Sequence, residues 1–225
     1  DVIIDPNPGT ALYTSFGNLH IASDYRVPTA RIDPLIQHEI GTHAVTRHNG
    51  RCQPLKTLAG GLADYDELQE GLAVMAEYFA GYLPANRLRS LAARVIAAHM
   101  AVDEFSGADI YACLHDEFDI DAEMAFDTAL RAKRGGGLTK DALYLKGLSE
   151  LLAYLHHDGD IEILFLGKFA LKQLHSLEKL LEQGIVQPPE IIPQFLTDAD
   201  AKKRLERVRS LPLNSIYQES PDHGR

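Results

Sequence analysis

Cysteine is scarce in this sequence. Among 225 residues there are only Cys52 and Cys113, and no CxxC pair is present. A disulfide scaffold or a cysteine-rich zinc ribbon needs several cysteines at short spacings, so the sequence indicates neither. We therefore expect two ordinary reduced thiols.

Basic residues and long apolar runs are also in short supply. The sequence contains 22 Lys and Arg residues and 32 Asp and Glu residues, which gives a net charge of −10. Nucleic acids and anionic membranes are bound through basic faces, so we expect neither as a main partner. No apolar run reaches the ~18–20 residues of a membrane span, and no secretory signal is visible. We expect a cytoplasmic location.

The sequence predicts an α+β fold, with a small N-terminal β-sheet followed by a mainly helical body. "DVIIDPNPGT" is typical of a short strand and a turn, and "ALYTSFGNLHIASDYRV" of one or two strands broken near Gly17 and Asn18. Hydrophobic residues make up 45% of the chain, enough for a sizeable core. We predict one domain over 1–225, with a β-rich part at 1–32, a helical body at 33–210 and a tail at 211–225.

Helical periodicity fills most of the chain after Pro28. A helix is predicted from Asp33 to about Arg47, where Asn49 and Gly50 would end it. Further helices are predicted from 66 to Pro84 and at 87–104, 108–116, 121–133, 140–157, 161–183 and 198–210. We expect a glycine joint at 135–137, an N-cap at Thr139, an extended connector at 187–195 and a disordered tail after Leu211.

The stretch HEIGTH at 38–43 is close to the zinc-protease motif H-E-x-x-H, but it contains one more residue. Five steps turn about 140° around an ideal helix, so His38 and His43 could share a metal only on a distorted helix. Gly41 lies between them and permits such a distortion, for instance a π-type bulge. Glu39 would then be placed to take a proton from a metal-activated water.

A third metal ligand has to come from another segment, and "DELQEGLAVMAEY" offers Glu67, Glu70 and Glu77. Glu70 is rotated ~200° from Leu68 and so lies off the apolar stripe of the helix. One coherent arrangement has Glu70 as ligand and Glu77 as the partner that orients a histidine. The spacing alone leaves the other glutamates open.

HEIGTH, QEGLA at 69–73 and "RAKRGGGLTKDALYLKGL" at 131–148 together resemble the QEGLA-motif family. In bacteria its members are known as flavohaemoglobin-expression-modulating proteins. Eukaryotic relatives include the microtubule-associated tyrosine carboxypeptidases, zinc metallopeptidases that remove the C-terminal tyrosine of α-tubulin. The resemblance runs from about residue 18 to 210. Known members are longer at the N-terminus, so it implies that this chain is the catalytic portion.

The resemblance implies one Zn²⁺ per chain, held by His38, His43 and Glu70, with Glu39 as the catalytic base. It also implies a zincin-like, metallopeptidase-type catalytic domain. In such a domain a strand edge near "NLHIASDY" would hold an extended substrate by main-chain pairing. The expected partner is the C-terminus of a peptide or protein.

Four residues of the 131–148 segment are candidates for work on the substrate. A carboxypeptidase must hold a terminal carboxylate, and an arginine fork does this with two hydrogen bonds. Arg131 and Arg134 are candidate anchors, although either could instead pair with Asp127 or Asp141. Lys140 and Tyr144 are candidates for binding the substrate and stabilising an oxyanion. Tyr144 could equally be a buried aromatic residue.

The sequence therefore favours a zinc-dependent peptidase, most of all a carboxypeptidase with catalytic residues Glu39, Arg134 and Tyr144. Two other functions stay open at this point. One is a regulatory or peptide-binding protein that keeps the zinc site without turnover. The other is a zinc amidohydrolase that acts on a non-peptide amide. Glu39 favours an enzyme, because a purely structural site needs no base.

Overall fold

The computed structural model of the chain describes residues 1–6, 12–134 and 140–217. Its strands are β1 (Val2–Asp5), β2 (Leu12–Ser15) and β3 (Asn18–Ala22). All three lie at the N-terminus, as predicted, and helices follow them. The α+β class is confirmed. The expected glycine joint at 135–137 and the N-cap at Thr139 lie outside the described residues.

The sheet has the order β1-β3-β2, so β3 is its central strand. β1 pairs with β3 in parallel, and β2 pairs with it antiparallel. The prediction that the strand at "NLHIASDY" offers a free edge is therefore wrong, because β1 covers its second side. Phe16 and Gly17 join β2 to β3 with φ values of 49° and 85°. Two positive φ values make the tight connection that suits a twisted hairpin.

Helices make up most of the chain after the sheet. Before residue 135 they are α1 (Ile32–Ile36), a π-helix (Gln37–Ala44), α2 (Val45–Cys52), α3 (Thr57–Gly60), α4 (Tyr65–Phe79), α5 (Ala85–Val102), α6 (Gly107–Ala112) with a π-turn at Cys113–Glu117, and α7 (Ala122–Lys133). From residue 140 onward they are α8 (Lys140–His156), α9 (Leu174–Glu182), α10 (Gln194–Thr197) and α11 (Ala199–Val208). None of these helices combines the length and the apolar character that crossing a bilayer requires.

Helix α1, the π-helix and α2 form one continuous helix, which runs past the predicted end at Asn49 and Gly50. Both residues are buried inside it. The Asn49 side-chain amide donates to the carbonyls of Phe165 and Ile191 at 2.8 Å, and its oxygen accepts from the Ile191 N–H at 2.9 Å. A Cβ on Gly50 would lie 2.3 Å from the Leu58 carbonyl oxygen. Asn49 and Gly50 contact other segments of the chain from within the helix. The prediction that they end the helix is therefore wrong.

Helices α4 and α8 pack at the centre of the larger hydrophobic core, and two glycines set how closely they approach. A Cβ on Gly71 of α4 would lie 2.4 Å from the carbonyl carbon of Gly147 on α8. A Cβ on Gly147 would lie 1.8 Å from the carbonyl oxygen of Glu67. The two backbones are therefore in direct contact, and this fixes the position of Glu70 relative to the first turns of α8.

The predicted helix over 161–183 is broken in the structure. Two short 3-10 turns, Glu162–Phe165 and Leu171–Gln173, precede α9. Between them Lys168 exchanges backbone hydrogen bonds with Leu58 and Leu62, while the rings of Phe165 and Phe169 are fully buried. The helix is interrupted because backbone groups of this segment hydrogen bond to the α3 region instead of to each other.

The expectation of a disordered tail after Leu211 is wrong for the described residues up to 217. The Leu211 carbonyl bonds to the His156 side chain at 2.9 Å, and Ile216 is fully buried in the larger core. A second, smaller core lies among α5, α6 and α7, around Ile110 and Leu114.

Candidate functional site

The π-helix brings His38 and His43 close together although they are five residues apart. The helix is π-type over Gln37–Ala44, and the Val45 N–H bonds to the Ile40 carbonyl five residues earlier. Because a π-helix bonds residue i to i+5, residues five apart lie close to the same face. The two imidazole rings are 5.3 Å apart, centre to centre, and nearly perpendicular. The predicted departure from regular α-helical bonding around Gly41 is confirmed.

Glu70, on α4, brings a carboxylate to these two rings. Its Oε2 lies 3.9 Å from His38 Nε2 and 3.7 Å from His43 Nε2, too far for hydrogen bonds. This oxygen is buried and has no hydrogen-bond partner among the described residues. Three ligands around a zinc ion at about 2.0–2.1 Å would be about 3.4 Å apart. The spacing and the orphaned oxygen fit a metal ion, which these three residues could hold.

The charge of the site also suits a cation. Burial alone would raise the pKa of Glu70, but His43, His38 and Lys140 lower it to about 2. Burial opposes the charged form of His38, yet the hydrogen bond to Glu77 and the carboxylates of Glu39 and Glu70 raise its pKa overall. Anionic oxygens therefore outnumber cationic groups around the two rings.

Each histidine is held by an acceptor behind it. His38 Nδ1 lies 2.9 Å from Glu77 Oε1, as the predicted arrangement required, and Arg87 pairs with the same oxygen at 3.1 Å. His43 Nδ1 lies 3.5 Å from the Gln69 side-chain oxygen, which also accepts from the Thr46 hydroxyl at 2.8 Å. These contacts direct both Nε2 atoms toward Glu70.

Sequence reasoning missed the part that Gln69 plays. Its position next to Glu70 was visible, but its contact with His43 depends on how α4 crosses the π-helix. The one signal in the sequence that could have pointed to Gln69 is an amide side chain directly before a candidate ligand.

Glu39 lies next to the two histidines and is 8% exposed. Its Oε1 is 4.0 Å from His38 Nε2, so its carboxylate faces the same space as Glu70. The Thr14 hydroxyl of β2 donates to the Glu39 carbonyl at 3.2 Å. The sheet is thus tied to the helix at the residue predicted to act as base.

Two predicted substrate residues on α8 reach Glu70. Lys140 Nζ lies 3.9 Å from Glu70 Oε1. Tyr144 is partly buried and near enough to Glu70 for the carboxylate to affect its hydroxyl. Burial and the Glu70 charge both raise the pKa of Tyr144, so its hydroxyl stays protonated and can donate a hydrogen bond.

Arg131, in the last turn of α7, and Arg134, just after that helix, have different surroundings. Arg131 donates three hydrogen bonds to Asp141, at 2.7 to 2.9 Å, which is one of the two alternatives foreseen for it. This pair holds the first turn of α8, where Lys140 lies. Arg134 is exposed at the end of α7, and its side chain has no hydrogen bond or ion pair within the described part of the chain.

Lys168 is a cation near the site that the sequence did not suggest. It is partly buried, and its Nζ lies 5.4 Å from the centre of the Tyr65 ring. Burial and nearby Arg47 lower its pKa, against the opposing effect of Asp66 and Glu70. No carboxylate of the described residues lies within 4.0 Å of it, although Glu70 is near enough to affect its pKa. Its position results from the broken 161–183 helix.

Replacing Glu77 with Gln should weaken metal binding about 10–100-fold, the usual effect of losing a partner behind a ligand histidine. Burial opposes ionisation of Glu77, but Arg87 and His38 lower its pKa to about 2, so its charge is present at neutral pH. Glutamine keeps an acceptor for His38 Nδ1 and removes the charge. Calorimetric titration with Zn²⁺ measures the change.

Glu67→Gln is the matched control, on the same helix. Glu67 pairs with Lys146, which is 56% exposed, so the loss of this pair should leave metal affinity unchanged. Equal affinity of Glu77→Gln and the unmodified chain would show that the Glu77 charge does not support His38 as a ligand.

The fold and the site together define a largely helical α+β protein with a buried His–His–Glu centre beside a further glutamate. The particular family follows from comparison of the whole sequence. Residues 2–212 match the family model described as microtubule-associated tyrosine carboxypeptidase. The chain belongs to this family, which confirms the relationship expected from the HEIGTH and QEGLA motifs.

Three curated relatives, each named microtubule-associated tyrosine carboxypeptidase 1, are similar to the chain. The rat protein is 27% identical over 191 residues, the mouse protein 27% over 192 and the human protein 25% over 189. Each alignment covers 79% of this chain, but only 38–39% of the relative. The chain thus spans about two fifths of the length of these relatives.

Proposed function

We propose that this chain is a zinc-dependent carboxypeptidase that removes residues from the C-terminus of a peptide or protein. The observation that carries the proposal is the convergence of His38 Nε2 and His43 Nε2 on the buried Oε2 of Glu70, which no described residue hydrogen bonds. Membership of a family named for carboxypeptidase activity supports the reaction class. The zincin-like character of the domain belongs to the same proposal.

His38, His43 and Glu70 would hold the zinc ion. When bound, zinc supplies Lewis acidity and lowers the pKa of water toward ~7. Two nitrogen ligands and one carboxylate are a ligand set of catalytic zinc sites, which leave one position open. Glu77 and Gln69 keep the two imidazoles in the orientation that this needs.

Glu39 is the proposed base. Its carboxylate accepts a proton from the attacking water as the new C–O bond forms at the scissile carbonyl. It then returns the proton to the leaving nitrogen as the C–N bond breaks. Its backbone is fixed by Thr14, so the side chain starts from a defined place beside His38.

Tyr144 is the proposed donor to the carbonyl oxygen as negative charge develops there. Its raised pKa keeps the proton on the hydroxyl across the physiological pH range. Lys140, beside Glu70, adds a positive charge at the same place. Donors aimed at a developing oxyanion commonly contribute 10²–10³-fold to the rate.

The extended part of the substrate would lie along β2 rather than β3. Within the described part of the chain, β2 pairs with β3 on one side only, and Thr14 connects it to Glu39. Main-chain pairing with such an edge holds a peptide without regard to its sequence.

Lys168→Ala should reduce cleavage of peptides with a free C-terminus by roughly 10–100-fold, the worth of one charged hydrogen bond. We propose that Lys168, partly buried and without a carboxylate partner among the described residues, holds the terminal carboxylate. Peptides that end in an amide lack this charge, and their slower cleavage should change little. Cleavage of both forms of one peptide is followed by mass spectrometry.

Arg134→Ala tests the other candidate anchor in the same assay, and Lys172→Ala is the control. Lys172 is 67% exposed and pairs with Asp64, so its loss should affect neither substrate. A selective loss in Arg134→Ala but not in Lys168→Ala would return the anchor to Arg134. Equal losses on acid and amide would show that neither residue binds the carboxylate.

Metal analysis of the purified protein, followed by digestion of a C-terminal peptide library, tests the function as a whole. We expect about one zinc per chain and loss of C-terminal residues from a subset of peptides. A chain that holds zinc but cleaves no peptide would favour the peptide-binding function instead.

A further inference from the structure

A second group of metal-binding side chains lies further along the same continuous helix. His48 and Cys52 are four residues apart on α2, and Glu190 faces them from the segment before α10, which is shorter than the predicted connector because Gln194 already belongs to that helix. His48 Nε2 lies 3.7 Å from Cys52 Sγ and 3.9 Å from Glu190 Oε2. These distances are close to the 3.7 and 3.9 Å found between the histidines and Glu70 in the proposed active centre.

The donor atoms suit one class of ion. Imidazole nitrogen, thiolate sulfur and carboxylate oxygen are the three ligand types of zinc. With Cys52 as thiolate and His48 neutral, the three ligands carry two negative charges, which a divalent cation neutralises. The i, i+4 spacing places His48 and Cys52 on one face of α2. The helix itself therefore holds these two ligands next to each other.

The third ligand is positioned by two buried side chains. The Asn49 side chain bonds both the N–H and the carbonyl of Ile191, next to Glu190, at 2.9 and 2.8 Å. The Gln53 side chain does the same for Gln187, at 2.8 Å for each bond. Asn49 and Gln53 are 0% and 1% exposed. The backbone on both sides of Glu190 is thus fixed to the helix that carries His48 and Cys52.

We propose that His48, Cys52 and Glu190 bind a second divalent ion of the zinc class, with solvent in the fourth position. The side chains of His48 and Glu190 are 48% and 61% exposed, so the ion enters and leaves without unfolding of the chain. The bound ion links α2 to the segment before α10. The site is separate from the proposed peptidase chemistry and does not depend on it.

Cobalt(II) spectroscopy tests this site selectively, because only a thiolate ligand gives sulfur-to-cobalt charge-transfer absorption in the near ultraviolet. The purified, fully reduced protein is titrated with Co²⁺ alone. We expect the charge-transfer band to rise with added Co²⁺ and then to level off. The site formed by His38, His43 and Glu70 contains no sulfur, so an empty or inactive peptidase centre cannot produce or remove the band.

Cys52→Ser should abolish the band, and Glu190→Gln should shift its midpoint to at least tenfold higher Co²⁺. Cys113→Ser is the matched control and should keep the band. Among the described residues, Cys113 belongs to neither group of metal-binding side chains. All three side chains lie at or near the surface, and circular dichroism checks that the variants fold. Absence of the band, its persistence in Cys52→Ser, or an unchanged midpoint in Glu190→Gln (an adventitious ion only) would overturn the proposal.

Discussion

Glu39→Gln should lower the rate of peptide cleavage by about 10²–10⁴-fold, which is the usual contribution of a positioned acid–base group. Glutamine has nearly the same shape as glutamate and can hydrogen bond, but it cannot accept a proton from water. Glu39 is not among the three proposed ligands, and its Oε1 lies 4.0 Å from His38 Nε2. The variant should therefore keep its zinc and its thermal stability.

Turnover of one peptide and zinc content, the latter from inductively coupled plasma mass spectrometry, are measured for the variant and the unmodified chain. Glu67→Gln, a change of the same kind on a residue paired with Lys146, serves as control and should retain full turnover. Unchanged cleavage by Glu39→Gln would exclude Glu39 as the base. Loss of zinc along with activity would show that Glu39 supports the metal site rather than the proton transfer.

Gly147→Ala should destabilise the protein by about 3 kcal/mol or more, which is the upper end of what overpacking costs and a large part of the stability of an average domain. The added Cβ would lie 1.8 Å from the Glu67 carbonyl oxygen and 2.6 Å from its carbon. Both neighbours are backbone atoms of α4, so no side-chain rotation relieves the overlap. Helices α4 and α8 have to move apart, and the packing of the larger core is lost with them.

Urea unfolding followed by circular dichroism measures this loss. Gly60→Ala is the control, because a Cβ at Gly60 meets nothing within 4 Å. A change below about 1 kcal/mol in Gly147→Ala would mean that α4 and α8 do not touch at this point. Separation of the helices also withdraws Lys140 and Tyr144 from Glu70, so any folded Gly147→Ala protein should cleave peptides more slowly.

The two histidine ligands were accessible from the sequence because their signal is local, whereas Glu70 was chosen among three glutamates through the family resemblance. HEIGTH places two histidines and a glutamate within six residues, and QEGLA places a glutamate next to a glycine. The five-residue spacing required a distorted helix, and the π-helix over Gln37–Ala44 provides it. The sequence also offered Glu77 as the partner of one histidine, and the structure pairs it with His38.

Residues that reach the site from distant segments were not accessible in this way. Lys168 falls within the helix that the sequence predicts over 161–183. Its position depends instead on the pairing of its backbone with Leu58 and Leu62. The role of Asn49 was misjudged for the same reason. An Asn-Gly pair is a common helix end, but here it meets partners 116 and 142 residues away.

The sequence by itself determined the α+β class, the order of most elements and the motif that contains His38, Glu39 and His43, whereas the choice of Glu70 came from the family resemblance. Periodicity, turn residues and short motifs act over a few residues, so they can be read without knowledge of the fold. Only the tertiary structure decided which strand is the edge, which cations face Glu70, and that Arg131 pairs with Asp141. These outcomes depend on how α4 and α8 pack and on which backbones pair across the chain, and such contacts leave no pattern in neighbouring residues.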